Sequence, residues 1–392
     1  MKKPILFKPR EKFLVLAIGS TGVDGLFLSV DEDRNIIFEK RVKNLDLKKF
    51  LASPMRSMAQ KSWEGAYLFK ARRKVIAVAD SSFATTIPIP LDLPRDPGAE
   101  QSEVALPELE NIIAQAMGKI FNQCRSEAAH RLGIHEVDTI MVGAKARNFK
   151  VDGHLVVNPV GFTGKNISLL LELTFTGRAL FEELKQFFNA PEDFFFAESA
   201  QARLASLARA RKLPVNLIVD EGTRGASLFV LEQTKEGHPV LYREKLTWSF
   251  DVLFTRIAAE LGVGEFAARE LYRAYLGGAM SEAATHAFKK FIDPAVEQFL
   301  KEVGKRKLKG FVYMDAEHDL PFALPHKHGG VTFEQIPLGE ILQRLGFAHR
   351  EGDCGADAVI ARYLLPFIEA YFDKSNSDIN QKLRRRLHWL AD

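Results

Sequence analysis

The sequence predicts a two-lobed α/β protein whose first lobe carries an inserted α+β subdomain, and three observations predict it. A faint internal repeat sets Gly19 on Gly222, an offset of 203 positions; a segment from about Asp80 to Thr174 fits neither copy; and apolar residues recur at helical spacing through the second half. Length agrees, because 392 residues exceed one ordinary core and an apolar content of 46% suffices to bury two or three.

The repeat is legible residue by residue. Leu14 to Leu28 reads LVLAIGSTGVDGLFL and Leu217 to Leu231 reads LIVDEGTRGASLFVL, which also sets Ser20 on Thr223 and Gly22 on Gly225. The register continues past the turn-rich segments 31–35 and 235–239, with Ile37 on Val240 and Phe38 on Leu241. Each half therefore begins with an antiparallel meander: apolar strand, glycine and hydroxyl turn, second strand, polar turn, third strand.

Between the copies, Ile87 to Gly98 cannot be helical, because Pro88, Pro90, Pro94 and Pro97 interrupt it. Leu109, Ile112, Ile113, Ala116, Met117 and Ile120 then recur at helical spacing, and Thr139 to Val142 and Ile167 to Phe175 read as strands. The run LLLELTF within the latter suits either a sticky sheet edge or a core. Farther on, Phe250 to Leu261, Phe266 to Leu276 and Ala287 to Val303 read as helices, Gly310 to Met314 as a short buried strand, and Ala356 to Tyr371 as an apolar helix.

Composition excludes several classes. Lys and Arg number 54 against 50 Asp and Glu, and a net charge of +4 is too small to attract nucleic acid through bulk electrostatics. Two cysteines, Cys124 and Cys354, suggest neither a disulfide framework nor a metal site and fit a reducing cytoplasm. The N-terminal residues lack the continuous apolar core of a signal peptide, and no stretch approaches the ~18–20 apolar residues that span a bilayer. Any membrane contact is expected to be peripheral.

Four segments carry a family resemblance, one of them Trp248 to Leu276, which resembles a stretch where a Gly-containing loop leads into a helix and then a Glu-x-x-Lys helix. Val157-Asn158-Pro159-Val160-Gly161-Phe162-Thr163-Gly164 resembles the NP-hydrophobic-G-x-x-G segment of the subdomain inserted in FtsA, the actin-like bacterial cell-division protein. Asp193 to Leu204 resembles the strand, turn and helix joining that family's lobes, and Lys309 to Ala323 its adenosine-contacting strand and turn. Nearly the whole chain is similar to FtsA and to its relative PilM of type IV pilus assembly. The resemblance implies an actin-like (actin/Hsp70/sugar-kinase ATPase) fold with mixed five-stranded sheets. It places the first lobe at 12–79, 175–212 and 354–372, the inserted subdomain at 80–174, and the second lobe at 213–353, with a helical part over about 255–304.

The same resemblance implies a cleft holding ATP and Mg2+, with Gly19, Ser20 and Thr21 in one phosphate loop, Asp220, Gly222, Thr223 and Arg224 in the other, and Glu270 and Arg273 as its Glu-x-x-Lys counterpart. The chemistry needs backbone N–H groups cradling phosphate and carboxylates positioning hydrated metal. Here Ala17 and Ser227 stand where carboxylates are usual, Phe250 replaces a glycine, and Met314-Asp315-Ala316-Glu317 replaces a T-G-G turn. Arg224 puts a long cation where bare backbone should touch phosphate, the alternative being that it pairs a phosphate itself. ATP is thus doubtful as a cofactor, no catalytic residue is assigned, and ATPase activity is not expected. His326-Lys327-His328 and the run Asp315, Glu317, His318, Asp319 read as exposed turns rather than metal or acid–base sites.

The tail, 378–392, follows a polar stretch, 373–377. At about 100° per residue, Ile379, Leu383, Leu387 and Leu390 fall within roughly 80° of one another, with Trp389 on the flank. Lys382, Arg384, Arg385 and Arg386 supply a basic side. Such a helix suits an anionic membrane surface; the alternative is docking on the body through the same leucines. FtsA ends in a similar helix. The expected function is a non-catalytic scaffold or tether of bacterial cell division, cytoplasmic and peripheral on the inner face of the cell membrane. By resemblance its partners are FtsZ-like or other division or pilus proteins and a self-polymer through the inserted subdomain. The alternatives are a PilM-like pilus platform protein and a slow ATP-binding ATPase of the same fold.

Overall fold

A computed structural model describes residues 11–19, 22–45, 73–188, 194–220, 225–233, 239–316, 318–349, 357–373, 379–380 and 383. They form two compact units, one built from the chain up to 206 and from 342 onward, the other from 207–233 and 240–341. The boundary expected at 353 falls at 341 instead, because Ala348–His349 pairs with Asn35–Ile36 of the first unit.

In the first unit β1 (Glu11–Gly19), β2 (Gly22–Val30) and β3 (Asn35–Leu45) form the expected antiparallel meander, and β4 (Arg73–Ala79) runs parallel to β1. Next come β5 (Ala84–Pro94), β6 (Thr139–Val151), β7 (His154–Leu155), β8 (Asn166–Gly177) and β9 (Phe194–Glu198), the last parallel to β4. The main sheet has the order Ala348–His349, β3, β2, β1, β4, β9: six strands rather than five, the sixth being a two-residue edge. The helix Asp357–Asp373 lies against β1, where Phe13 meets Phe367 edge-on at 5.0 Å.

The inserted subdomain has its own sheet, ordered β5, β8, β6, β7. The proline-rich segment is β5, which prolines permit because it is an edge strand paired on one side only. The LLLELTF run occupies β8, flanked by strands on both sides, with Leu169, Leu171, Leu173 and Phe175 almost wholly buried, so it is core and not an edge. The helix Leu106–Leu132 covers this sheet through Leu109, Ile113, Met117 and Phe121; Glu108 caps its start and Gly133, in the left-handed conformation, ends it. Arg95, 4% exposed, bonds both oxygens of Glu108 and the carbonyls of Ser102 and Gly164, tying the Asn-Pro segment to the helix start.

A buried charge network joins this subdomain to the helix Asp357–Asp373. Arg147 on β6 pairs with Glu172 on β8 (3.1 Å) and with Glu369, while Lys145 reaches Glu369 (3.5 Å) and Asp373 (3.3 Å). Gln201 donates to Glu172 at 3.1 Å.

The second unit contains β10 (Val215–Asp220), β11 (Ala226–Gln233), β12 (Pro239–Leu246), β13 (Gly310–Asp315), β14 (His326–His328) and β15 (Val331–Glu334). Their order is β12, β11, β10, β13, β15, β14, again six. Adding 203 to β2 gives 225–233, against an observed Ala226–Gln233, so the repeat is structural. Between β12 and β13 lie the helices Phe250–Leu261, Glu265–Leu276 and Glu282–Gly304, the first and last capped by Ser249 and Ser281. Trp248, Phe250, Phe254, Tyr272 and Phe299 form their aromatic core.

Removing one partner of a buried ion pair strands the others in a poorly solvating interior. Arg147→Ala is therefore expected to lower the stability of the first unit by about 3 kcal/mol, read from its urea midpoint.

Candidate functional site

Parallel strands gather their carboxyl ends, where open α/β sheets place ligands. In the first unit β1, β4 and β9 end together, and their registers set Ile18 beside Ala79 and Ala79 beside Glu198. Asp80 follows β4 directly; its N–H donates to the Ile18 carbonyl at 2.8 Å, and its carboxylate lies 2.6 Å from where a Cβ on Gly19 would sit. A side chain at Gly19 would push the Asp80 carboxylate aside.

Glu198, 1% exposed, accepts from the Ser81 hydroxyl (2.8 Å) and from the Thr86 N–H (2.6 Å). Arg203 donates to the Ser199 hydroxyl at 2.7 Å and to its carbonyl at 3.2 Å. Burial lowers the Arg203 pKa to about 10, the charge of Asp80 opposing that effect and Arg362 adding to it. Asp80, Ser81, Glu198 and Arg203 were not among the expected site residues. Their signal is an apolar strand ending in a carboxylate, VIAVAD and FFFAES.

The two hairpins have each kept a different carboxylate. Ala17 faces Asp24 across β1 and β2, whereas the matching positions of the second unit hold Asp220 and Ser227. Asp24 accepts from the Tyr363 hydroxyl at 2.9 Å, and Arg41 lies over the Tyr363 ring. Ser227 is fully buried, its hydroxyl without a partner among the described residues.

Of the expected nucleotide residues, Gly19 and Asp220 stand at strand ends. Ser20, Thr21, Gly222, Thr223 and Arg224 lie outside the described residues. Glu270 and Arg273 pair with each other at 2.6 Å on the exposed side of their helix, their side chains 48% and 58% exposed. The turn after β13 departs from the exposed loop expected: Asp315 is 7% exposed, and His318 packs on Phe250 and Phe254 at 5.4 and 4.8 Å. His326 and His328 sit on β14 and not on a turn, with His326 against Phe322 at 4.6 Å.

Glu198 has both oxygens engaged inward, Asp24 accepts from Tyr363 and Ser227 is sealed from solvent, which leaves Asp80 in the first unit and Asp220 in the second as carboxylates at strand ends.

The tail gives a correction. Ile379 and Leu383, expected on a membrane-facing stripe, are 7% and 1% exposed within the core of the inserted subdomain. The Ala146 N–H donates to Asn380 Oδ1 at 2.8 Å, and Asn380 Nδ2 donates back to the Ala146 carbonyl at 3.5 Å. Burying two such side chains contributes about 3–6 kcal/mol, and the two hydrogen bonds about 1 kcal/mol each. Ordering five backbone positions costs about 5–10 kcal/mol, so docking is close to balanced. Lys382, Arg384, Arg385, Arg386, Leu387, Trp389 and Leu390 lie outside the described residues. No described helix is long and apolar enough to cross a membrane.

The chain has the fold of the actin-like ATPases. Its structure is similar to that of a PilM-PilN type IV pilus biogenesis complex, at 14% identity over 94% of this chain and 100% of that one, with a TM-score of 0.51. Weaker likenesses are to a Bacteroides thetaiotaomicron protein with actin-like ATPase fold (10% identity, 65% and 78% covered, TM-score 0.32) and to the cytoplasmic domain of EpsL, an inner membrane component of the type II secretion system of Vibrio cholerae (10%, 92% and 95%, 0.33). No family model and no curated protein matches the sequence.

Burial, with Asp24 adding to it, raises the Tyr363 pKa to about 12, and burial does the same for Tyr313. A folded-state pKa above the unfolded value of about 10 contributes stability that is complete below pH ~10 and lost as pH rises toward ~12. Alkaline unfolding should thus begin above pH ~10, and Tyr363→Phe should weaken the pH dependence, as followed by circular dichroism across an alkaline titration.

Proposed function

We propose that this chain is a non-hydrolysing actin-like scaffold for a membrane-apposed assembly of the pilus-biogenesis type. The observation that carries the reading is the match to the PilM-PilN complex over nearly the whole of both chains, combined with hairpins that each hold a carboxylate at only one of the two matched positions. Phosphoryl transfer depends on positioning and on metal and dipole stabilisation of charge. A protein that keeps the frame while each hairpin drops one carboxylate retains shape without that chemistry.

Membrane contact would come from the basic, apolar tail, with about 1 kcal/mol of attraction to anionic lipid per basic residue near the surface. The division-tether reading rests on that tail and on the resemblance to FtsA. The pilus-type reading needs no free tail and so agrees better with the docked Ile379 and Leu383.

Phosphate release from Mg2+-ATP is expected to match a buffer blank, and Asp220→Ala to change nothing. Release that disappears in that variant would overturn the non-hydrolysing reading. Proximity labelling in cells separates the two assemblies: enrichment of division proteins without pilus or secretion proteins would favour the tether.

A further inference from the structure

The second sheet has a rim opposite its carboxyl strand ends, where the parallel strands β10, β13 and β15 begin. The helix Glu282–Gly304 ends at this rim, and the chain then runs KRKLK into β13. Lys301, Lys305, Lys307 and Lys309 are exposed along that path. Lys212, exposed just before β10, joins them across Gly310, where a Cβ would stand 3.2 Å from the Pro214 carbonyl oxygen. Among the described residues, none of these five lysines has an ion-pair partner. We propose that this rim of the second unit lies on an anionic lipid surface, its lysines addressing headgroup phosphates; this rests on the membrane-apposed reading above and is independent of the tail.

Three features set these cations apart from an ordinary solvated surface. The helix dipole accounts for Lys301 and Lys305, at the end of their helix, but not for Lys307 and Lys309 beyond it. Lys307 holds a left-handed backbone, φ 51°, which favours glycine, so the turn carries a cation against its conformational preference. The turn is also pinned: Asn216, fully buried, donates from Nδ2 to the Lys309 and Phe311 carbonyls at 2.9 and 2.8 Å.

The kind of charge selects the partner. Two arginines of the rim are spent, Arg211 on Glu340 at 2.6 Å and Arg306 on Glu244 and on Glu302 at 3.7 Å. What remains is lysine, a compact point charge on a flexible stem. It suits a fluid array of headgroups better than bidentate capture of one fixed carboxylate or phosphate. Phe311, 38% exposed with the Arg211 guanidinium 5.5 Å from its ring centre, adds an apolar group of the kind that enters the headgroup level.

The test uses the full chain and vesicles of phosphatidylglycerol mixed with phosphatidylcholine. Lys305→Gln, Lys307→Gln and Lys309→Gln together should lower partitioning about 100-fold, about fivefold for each lysine, and wild-type binding should weaken with salt. Lys307→Gly alone should lower partitioning about fivefold without lowering the urea midpoint, a combination that a purely structural lysine would not give. Acetylation by an N-hydroxysuccinimide ester, read by mass spectrometry, should fall on vesicles at Lys305, Lys307 and Lys309. It should not fall at the exposed Lys289, about 18 Å back from Lys301 along the same helix. Unchanged partitioning of the triple variant, with the wild type bound, would overturn the rim and spare the membrane reading. Protection of these lysines by a glutamate-rich peptide and not by vesicles would assign the rim to an acidic protein partner and overturn the lipid proposal. Failure of the wild type to bind vesicles would overturn both the rim and the membrane-contact reading.

Discussion

One cation ties the inserted subdomain to the rest of the first unit. Arg147 on β6 meets a carboxylate from β8 and another from the helix Asp357–Asp373, so a single guanidinium joins the inserted sheet to a helix more than 200 positions later. Burial acts to lower its pKa, and the charges of Glu172, Glu369 and Asp373 more than reverse that, leaving it above the ordinary value. A planar fork that serves two acceptors suits this position better than a lysine, which carries a compact point charge. Lys145 takes the outer place, contacting Asp373 and lying over the Phe195 ring at 4.6 Å. The seat of the tail is therefore built on a strand whose charge has already been neutralised.

That arrangement bears on how the inserted subdomain is held. Its apolar core is complete on one face, where the helix Leu106–Leu132 covers the sheet, and Ile379 and Leu383 extend that core. The other attachment is polar: the Arg147 network, in which Lys145 also reaches Glu369. Apolar packing fixes the subdomain's internal structure, and directional ionic contacts fix its register on the helix. The two tasks fall to different residues, which is why a change at Arg147 and a change at Leu383 should be separable.

Much of this was legible in the sequence because it follows from periodicity and from glycine and proline. The 203-residue offset gave both meanders to within about a residue, and the helices Phe250–Leu261 and Asp357–Asp373 end within two positions of their apolar patterns. What periodicity cannot show is which strand ends meet. Asp80 and Glu198 are 118 positions apart and become neighbours only through the parallel pairing of β4 and β9. Glu270 and Arg273, picked out by their spacing, pair with each other at i and i+3 on an exposed helix face. Asn380 was unreadable for a further reason, since a side-chain amide that imitates a strand neighbour leaves no pattern in its own segment.

The two hairpins differ in where their carboxylates stand. Each position that would face a metal carries either an apolar or a hydroxyl residue in one copy and a carboxylate in the other: Ala17 against Asp220, Asp24 against Ser227. A remaining carboxylate with no metal still needs partners, and Asp24 has one in Tyr363, from the helix that packs on β1. The lost position in the second unit was closed differently, with Ser227 buried in the sheet and an aromatic cluster of Phe250, Phe254, Tyr272 and His318 packed beneath the neighbouring turn. In both units the residue at the matched position is therefore held by its surroundings, Asp24 through the Tyr363 hydroxyl and Ser227 through burial in the sheet.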